Sequence, residues 1–384
     1  MKKVLVSGAF NVLHSGHIRF FMDARALGDY LIVTFPSADL LWRLYGKKSV
    51  LGDEDKMALL KSLSMVDEVV FSTDEDRDLS FRTVFAKLRP DVLAVTTDDL
   101  YQEAKRAFCA EVGAEFVVLP KTPPDHGLTS STDVLNRAKA PTHVPLRVDF
   151  AGGWLDVPDS AIPGEYIVNC SISPTVSLKE WVYRQSSGLG GSGGWSVLNG
   201  WDPVRSELGL GVGWQDPAVI AETGACVWKS GRLPVLDFKN TGEFLVGKMA
   251  VYDTRIRHDT PGIASLRRDL RKIAKAARVA RLAVQQQDVT LLSVAVHMSY
   301  QAQLDEGMQR LPHIGKALAR KYCGGGHGGY ALYVFESAAE REEALQAEED
   351  LYPVEPYCRT FGRDEPVPWD PKYLQRMRES LLKD

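Results

Sequence analysis

The chain has 384 residues, of which 45% are hydrophobic and 25% charged, and it carries a formal net charge of −4 at pH 7. This length predicts two or three domains that each bury a core, and the small net charge gives no reason to expect a nucleic-acid partner or an anionic membrane. The five cysteines are scattered without C-x-x-C spacing, which excludes a disulfide framework and a zinc knot and is typical of a reducing cytosol.

The first residues, Met1-Lys2-Lys3, lead into an apolar run that ends at Gly8 and is too short for a signal core. No run in the chain approaches the roughly 18 apolar residues of a membrane span. We therefore expect a cytoplasmic protein without a membrane partner.

Residues 1–138 alternate short apolar segments with amphipathic ones. The segments with strand character are residues 4–6, 30–35, 69–71, 92–95 and 116–119, and those with helical periodicity are residues 17–27 and 53–65. Such alternation predicts an α/β domain with a doubly wound parallel sheet.

A glycine turn, Gly8-Ala9-Phe10-Asn11-Val12-Leu13-His14-Ser15-Gly16-His17, lies between the first predicted strand and the first predicted helix. Ligands of doubly wound sheets bind beyond the carboxyl ends of the strands, and free N–H groups at a helix start attract phosphate. His14 and His17 are three residues apart, so both rings can donate hydrogen bonds to one phosphoryl group. The H-x-x-H pattern alone leaves simple packing or a metal pair open.

The whole string resembles the G-x-F-D-x-x-H-x-G-H signature of the cytidylyltransferase superfamily, with Asn11 in place of its Asp. A Ser/Thr-rich turn at residues 127–132 resembles the second signature of the family, and the resemblance covers residues 1–138. It is nearest to the transferase half of bifunctional bacterial heptose kinase/nucleotidyltransferases, which act on sugar 1-phosphates. It implies that His14 and His17 are catalytic. The nucleotide contacts that it implies are Gly8, Ala9, Phe10, Asn11, Gly16, Lys47, Lys56, Thr129, Ser130, Ser131 and Thr132.

Two positions depart from the family pattern. Lys56 stands where the family has Arg, which keeps the charge but loses the bidentate fork. The lysine-glycine-aspartate run after the fourth strand is replaced by Thr96-Thr97-Asp98-Asp99. We therefore expect one cationic contact to be missing.

Residues 139–145 contain two prolines and no periodicity, so we predict a linker there and a second domain at residues 146–384. Glycine-rich loops at 152–213 and 324–329 flank a helical block at about 263–322, with strands rich in Val, Tyr and Phe around them, which predicts an α+β domain. The basic residues of 267–281 have helical spacing and indicate a solvated helix face. Residues 186–200 have the composition of a flexible linker.

Three glycine clusters stand in this second half, at residues 152–153, 188–194 and 324–329. One glycine loop is weak evidence because linkers and turns produce them freely. Three in this order resemble the three motifs of GHMP kinases, and the first motif is most similar to fucokinases. Gly213-Trp214-Gln215-Asp216 resembles the segment that carries the catalytic base of this family, although Asp216 could also merely cap a helix.

The resemblance implies a kinase site with Asp216 as base, and it distributes the other roles as follows. The phosphate loop is Gly188, Gly190, Gly191, Ser192 and Gly193; the sugar contacts are Arg147, Asp149, Gly153, Trp154, Asp156, Arg255, Gly326 and Gly328; and the Mg²⁺ ligands are Ser192 and Glu207. The implied substrates are ATP, a second nucleoside triphosphate (CTP, ATP or UTP) and a sugar, with Mg²⁺ as cofactor and no nucleic acid.

The second domain also departs from its family. The stretch between residues 192 and 216 is short, Trp195, Trp201 and Pro203 are expected to interrupt any helix there, and the glutamate of the family aligns near Arg205. Three hypotheses stay open: a two-step enzyme that makes an NDP-sugar, a transferase whose degenerate second domain binds sugar or dimerises, and a nucleotide-binding regulator. The sequence leaves the sugar, the base and a homodimer undecided.

Overall fold

The computed structural model describes residues 1–121, 130–179, 188–256 and 268–359. The predicted nucleotide contact at Thr129 and basic residue 267 lie outside these ranges. The chain divides into two compact units, Met1–Ala138 and Lys139–Asp384, and each is described by itself. Every helix in the described ranges is too short or too polar to span a bilayer.

The first unit is built on a five-stranded parallel sheet of order β3-β2-β1-β4-β5. Its strands are β1 (Lys3–Ser7), β2 (Tyr30–Pro36), β3 (Glu68–Ser72), β4 (Val92–Thr96) and β5 (Glu115–Leu119). The direction of winding reverses between β1 and β4, so a crevice opens at the carboxyl ends of these strands. The predicted α/β class and doubly wound parallel sheet are confirmed.

Both faces of this sheet are covered, which is why its strands are nearly continuous apolar runs. Successive residues of β1 alternate between two cores: Val4 and Val6 pack on one side, and Leu5 packs on the other with Phe85. The helices are α1 (Ser15–Arg25), α2 (Ala38–Tyr45), α3 (Asp53–Lys61), α4 (Arg82–Leu88), α5 (Gln102–Val112) and α6 (Ser131–Lys139).

The second unit is an α+β structure, as predicted, and its strands form an antiparallel sheet of eight strands. The order is β11-β12-β10-β13-β7-β8-β9, and β6 also pairs with β7. The strands are β6 (Val144–Ala151), β7 (Tyr166–Val176), β8 (Ala225–Lys229), β9 (Val235–Asn240), β10 (Met249–Asp253), β11 (Ala319–Tyr322), β12 (Tyr330–Val334) and β13 (Leu351–Pro356).

The second unit has six α-helices in its described part. They are α7 (Gly191–Leu198), α8 (Pro203–Gly209), α9 (Gln215–Glu222), α10 (Leu270–Gln286), α11 (Val289–Asp305) and α12 (Ala338–Ala347), with a 3₁₀ turn at Glu243–Leu245. Helix α10 buries Ala276, Ala280 and Ala283 completely while Arg271 and Lys275 stay exposed, which confirms the predicted solvated basic face within this helix. The side chain of Arg268, which precedes the helix, is instead buried and pairs with Glu306.

Three expectations for the second unit were wrong. The helical block was expected to continue to residue 322, but its last helix ends at Asp305. Residues 319–322 instead form β11, which pairs with β12. Residues 188–200 are not a flexible linker, because α7 occupies most of them and includes Trp195. Pro203 begins α8 instead of preventing it, since its missing N–H would be unpaired at that position anyway, and the side chain of Asp202 accepts from the Arg205 N–H at 3.0 Å.

Candidate active sites

A cavity of about 250 Å³ lies at the carboxyl ends of β1, β4 and β5 in the first unit. Its walls are Ser7, Gly8, Phe10, His14, Gly16, His17, Phe20, Asp23, Thr96, Asp98, Pro120, Lys121, Ser130 and Ser131. The glycine turn and the Ser/Thr turn, which are more than 100 residues apart along the chain, thus meet at the crevice expected for a doubly wound sheet.

His14 and His17 stack on each other at the start of α1, with ring centroids 3.9 Å apart. Phe10 packs edge-on against His17 at 5.3 Å, which fixes the tilt of its ring. Burial lowers the pKa of His14, and Lys121 adds to the shift. Burial, then His14 and Lys121, lower the pKa of His17 to about 3. Both rings are therefore neutral at pH 7 and can donate hydrogen bonds. The Nδ1 atom of each is buried without a hydrogen-bond partner in the described part of the chain.

The lowered pKa of His17 predicts an acid-sensitive first unit. The free energy of unfolding should fall as pH drops from about 6.5 toward 3, because the unfolded chain takes up a proton that the folded ring refuses. The slope should reach at most about 1.4 kcal/mol per pH unit. Urea unfolding at about pH 7, 6 and 5 measures it, with His297→Gln on the exposed side of α11 as the control. An unchanged pH slope in His17→Gln would contradict the assignment.

Some of the other residues that the resemblance implies as nucleotide contacts line this cavity, and others do not. Ser130 and Ser131 line it, and Ser131 Oγ donates to the Val12 carbonyl at 3.2 Å. Thr132 is exposed on the first turn of α6 and Ala9 lies in the glycine turn, but neither is part of the wall. Lys47 is exposed on the loop after α2.

Lys56 does not reach the cavity. Its side chain is fully buried, with Nζ 3.7 Å from Asp53 Oδ1 and 5.0 Å from the centroid of the Phe35 ring. Burial lowers its pKa, and Asp53 acts in the opposite direction. Lys56 therefore serves the packing between α3 and the sheet in this structure.

The cation expected to be missing after β4 is supplied by Lys121, which sequence reasoning overlooked. Thr96 pairs with Leu119 in the sheet, so Lys121 follows β5 at the same edge. Lys121 Nζ donates to Asp98 Oδ2 at 2.6 Å, and Thr96 Oγ1 donates to Asp98 Oδ1 at 2.6 Å. A lysine two residues after an edge strand was the available signal, and only the strand order makes it meaningful.

In the second unit, β6 carries Arg147 and Asp149 on one face, where their side chains bind the second and third glycine loops, and the first glycine loop directly follows the strand. Arg147 donates to Asp216 Oδ1 at 2.6 Å and Oδ2 at 2.7 Å, and to the Gly188 carbonyl at 2.7 Å. Asp149 accepts from the Gly324 N–H at 2.8 Å and from Lys321 Nζ. The three motifs are thus held at one place by one strand.

Arg147 and Asp149 are each 2% exposed, so their hydrogen bonds to protein groups define their role here. Burial opposes the charge on Arg147, but Asp216 and Asp149 raise its pKa above the usual range. Burial likewise opposes the charge on Asp149, but Lys321 and Arg147 hold its pKa below the usual value. Both side chains therefore form a frame on β6 that holds the glycine loops in place through hydrogen bonds, although the resemblance implied that they contact the sugar directly.

Asp156 turns back onto the segment that contains Asp216. Its Oδ2 accepts from the Gln215 N–H at 3.0 Å, and Oδ1 lies 3.3 Å from Gln215 Nε2. A Cβ atom at Gly213 would lie 1.7 Å from Asp156 Oδ2, so only glycine fits there. Burial, with Asp216 adding to it, raises the pKa of Asp156 to about 7.

Glu207 and Ser192 meet beside Asp216, which brings the two implied Mg²⁺ ligands together. Burial and the charge of Asp216 raise the pKa of Glu207 to about 7, against a hydrogen bond from Ser192. Glu207 Oε1 is buried without a hydrogen-bond partner in the described ranges. Two protein oxygens suit Mg²⁺ because that ion takes its remaining ligands from phosphates and water. The described residues contain no group of three or more His, Cys, Asp or Glu with metal-site geometry.

Two glycines of the loop that the resemblance assigns to phosphate binding are required by close approach of neighbouring atoms. A Cβ at Gly190 would lie 2.8 Å from Arg147 Cγ, and one at Gly193 would lie 2.9 Å from the Pro217 nitrogen. Gly191 is buried in the first turn of α7, and Gly188 gives its carbonyl to Arg147.

The remaining implied sugar contacts have mixed surroundings. Trp154 has a φ of 77°, next to Gly153, and Arg268 stacks on its ring at 3.5 Å. Arg255 is exposed and its Nε donates to Asp350 at 3.1 Å. Gly326 and Gly328 have φ values of 78° and 153° in the third loop.

Comparison with known families and proteins agrees with the family that the sequence motifs indicated for the first unit. The family model described as Cytidylyltransferase-like matches residues 5–137. The FAD synthase of Picrophilus torridus is 30% identical over 136 residues, which are 35% of this chain and 94% of that protein. The Bifunctional protein HldE of Helicobacter acinonychis is 37% identical over 116 residues, which are 30% of this chain but only 23% of that protein.

Among solved structures, a D-glycero-D-manno-heptose 1-phosphate kinase from Bacteroides thetaiotaomicron superposes with a TM-score of 0.39 and 18% identity. The superposition covers 56% of this chain and 94% of that chain. Assignment of the second unit therefore rests on its own motifs and contacts.

Proposed function

Because this chain belongs to the cytidylyltransferase-like family through residues 5–137, we propose that its first unit transfers a nucleotidyl group from a nucleoside triphosphate to a sugar 1-phosphate. The observation that carries this proposal is the stacked, neutral pair His14 and His17 in the cavity wall at the start of α1. Neutral imidazoles at the positive end of a helix dipole suit a phosphoryl group whose negative charge grows in the transition state.

In the proposed reaction, an oxygen of the acceptor phosphate attacks the α-phosphorus of the triphosphate. The bond between the α-phosphorus and the bridging oxygen to the β-phosphate breaks, and pyrophosphate leaves with the electron pair. His14 and His17 donate hydrogen bonds to the α-phosphate, while Lys121, 2.6 Å from Asp98 in the same wall, turns to the departing pyrophosphate.

We further propose that the second unit is a GHMP-type sugar kinase that makes the sugar 1-phosphate from ATP. Asp216 takes the proton of the sugar hydroxyl, and Arg147 orients it through two hydrogen bonds of 2.6 and 2.7 Å. Ser192 and Glu207 would hold Mg²⁺, which neutralises phosphate charge when bound. The product of this step is the acceptor of the first unit, so the two reactions together give an NDP-sugar.

A second acceptor is favoured by one specific comparison, the 30% identity with an FAD synthase over 94% of its length. In that case the acceptor would be flavin mononucleotide, which is also a phosphomonoester. Pyrophosphate release with each of CTP, ATP and UTP against sugar 1-phosphates and flavin mononucleotide tests the alternatives. Release with flavin mononucleotide alone would replace the sugar assignment.

The kinase proposal competes with a second unit that only binds sugar or dimerises. The test is ADP formation from ATP, Mg²⁺ and a panel of free sugars and sugar phosphates, including fucose, arabinose and heptose-type substrates, with no second nucleotide present. If no sugar gives ADP and ATP does not bind, the second unit is a binding module.

We predict that a chain ending at residue 140 folds and keeps transferase activity. The described apolar clusters of the first unit contain no residue beyond Leu119, and those of the second unit begin at Val144. Each core can therefore form without the other. Circular dichroism and pyrophosphate release measure the outcome. An insoluble or inert product, with the full chain active, would mean that the two units share an interface.

A further inference from the structure

Asn11 joins the glycine turn to the loop between α2 and α3 with both ends of its amide. Its Nδ2 donates to the Lys48 carbonyl at 3.0 Å, and its Oδ1 accepts from the Val50 N–H at 2.6 Å. Ser49 Oγ lies 3.2 Å from the same oxygen and 2.8 Å from the Leu51 carbonyl. The backbone of residues 48–50 is thus fixed by one side chain.

This loop carries two lysines, and Asn11 connects it to the glycine turn that supplies part of the cavity wall. Asn11 directly follows Phe10, which is part of the cavity wall, and Lys47 and Lys48 are both exposed. Across the described ranges neither lysine has a carboxylate partner, whereas Lys121 in the wall is paired with Asp98. Two unpaired ammonium groups beside a phosphate-binding turn attract polyanions.

We infer that Asn11 is a positioning residue, which holds Lys47 and Lys48 where they contact the β- and γ-phosphates of the nucleotide. The inference rests on the proposed nucleotidyl transfer, because it takes the triphosphate as the ligand of the cavity. The inference adds that the affinity of the protein for the triphosphate depends on the Asn11 amide.

The amide is not interchangeable with a carboxylate here. Asp at position 11 would still accept from the Val50 N–H, but it would place a carboxylate oxygen against the Lys48 carbonyl, where Nδ2 donates now. Two acceptors facing each other repel, and the loop would open on that side. Asn11→Asp should therefore behave like Asn11→Ala, although Asp is the residue of the family signature.

The experiment is titration calorimetry of the full chain with inorganic tripolyphosphate, which contains neither base nor sugar. Asn11→Asp and Asn11→Ala should each weaken binding about tenfold. KM for the nucleoside triphosphate should rise by a similar factor, with KM for the acceptor unchanged. Asn136→Asp, at an exposed position on α6, is the matched control and should bind like the unaltered chain.

A double-mutant cycle distinguishes positioning from general loosening. If Asn11 acts through the lysines, Asn11→Ala should change tripolyphosphate binding by less than about twofold when Lys47 and Lys48 are already alanine. Full additivity, or unchanged binding by Asn11→Asp, would overturn the inference. Weaker tripolyphosphate binding in a chain that transfers no nucleotide would support the positioning role while removing the proposed function.

Discussion

Replacing His14 and His17 together by alanine is expected to lower nucleotidyl transfer to supplied acceptor by about 10²- to 10³-fold or more, or about 3–5 kcal/mol of transition-state stabilisation. The two rings are stacked at 3.9 Å and line the cavity, so both reach the same phosphoryl group. Pyrophosphate release measures the effect. Because the rings are neutral at pH 7, the loss should be in kcat more than in ground-state nucleotide affinity.

The control for this double variant lies within the same molecule. ADP formation by the second unit should be unchanged, since both histidines belong to the first unit, and His297→Ala should leave both reactions intact. Near-normal transfer by the double variant would remove the histidines from the mechanism.

Asp216→Asn is expected to abolish sugar phosphorylation while transfer onto supplied sugar 1-phosphate continues. The amide keeps the shape of the side chain but cannot take a proton from a hydroxyl. It also removes one of the two carboxylates that face the buried Arg147, so the second unit should lose about 3 kcal/mol of stability. Rates of ADP formation and urea unfolding must therefore be measured on the same preparation.

Asp237→Asn is the matched control, because Asp237 also pairs with an arginine, Arg281, at 2.9 Å but lies on β9 away from the glycine loops. It should leave ADP formation unchanged. A folded Asp216→Asn protein that still phosphorylates sugar would show that another group is the base.

Features that depend on local sequence could be predicted. The parallel sheet of the first unit follows from buried runs between amphipathic segments. The histidine pair follows from a spacing that puts both rings at one helix start, and the glycine loops follow from three glycine clusters that are visible in the sequence.

Features that depend on which strands are neighbours could not be predicted. Lys121 reaches the cavity only because β5 lies beside β4, and Lys56 misses it because α3 turns that side chain into the core. The sequence motif indicated that Arg147 and Asp149 contact a ligand. In the structure they bind Gly188 and Gly324, which lie 41 and 175 positions away along the chain. Trp195 and Trp201 led us to expect no helix here, but α7 forms and packs against α8 and α9.

The frame built on β6 also determines when the second site can exist during synthesis. Lys321, which donates to Asp149, is 172 positions further along the chain. At about 5–20 residues per second, roughly 10–35 s separate the emergence of the two residues from the ribosome. The first unit can fold in that interval, whereas Arg147 and Asp149 stay hydrated beside unpaired strand edges. The first unit is thus expected to complete its fold before the β6 frame of the second unit can form, and a chain that ends before residue 321 should expose the unpaired edges of that sheet.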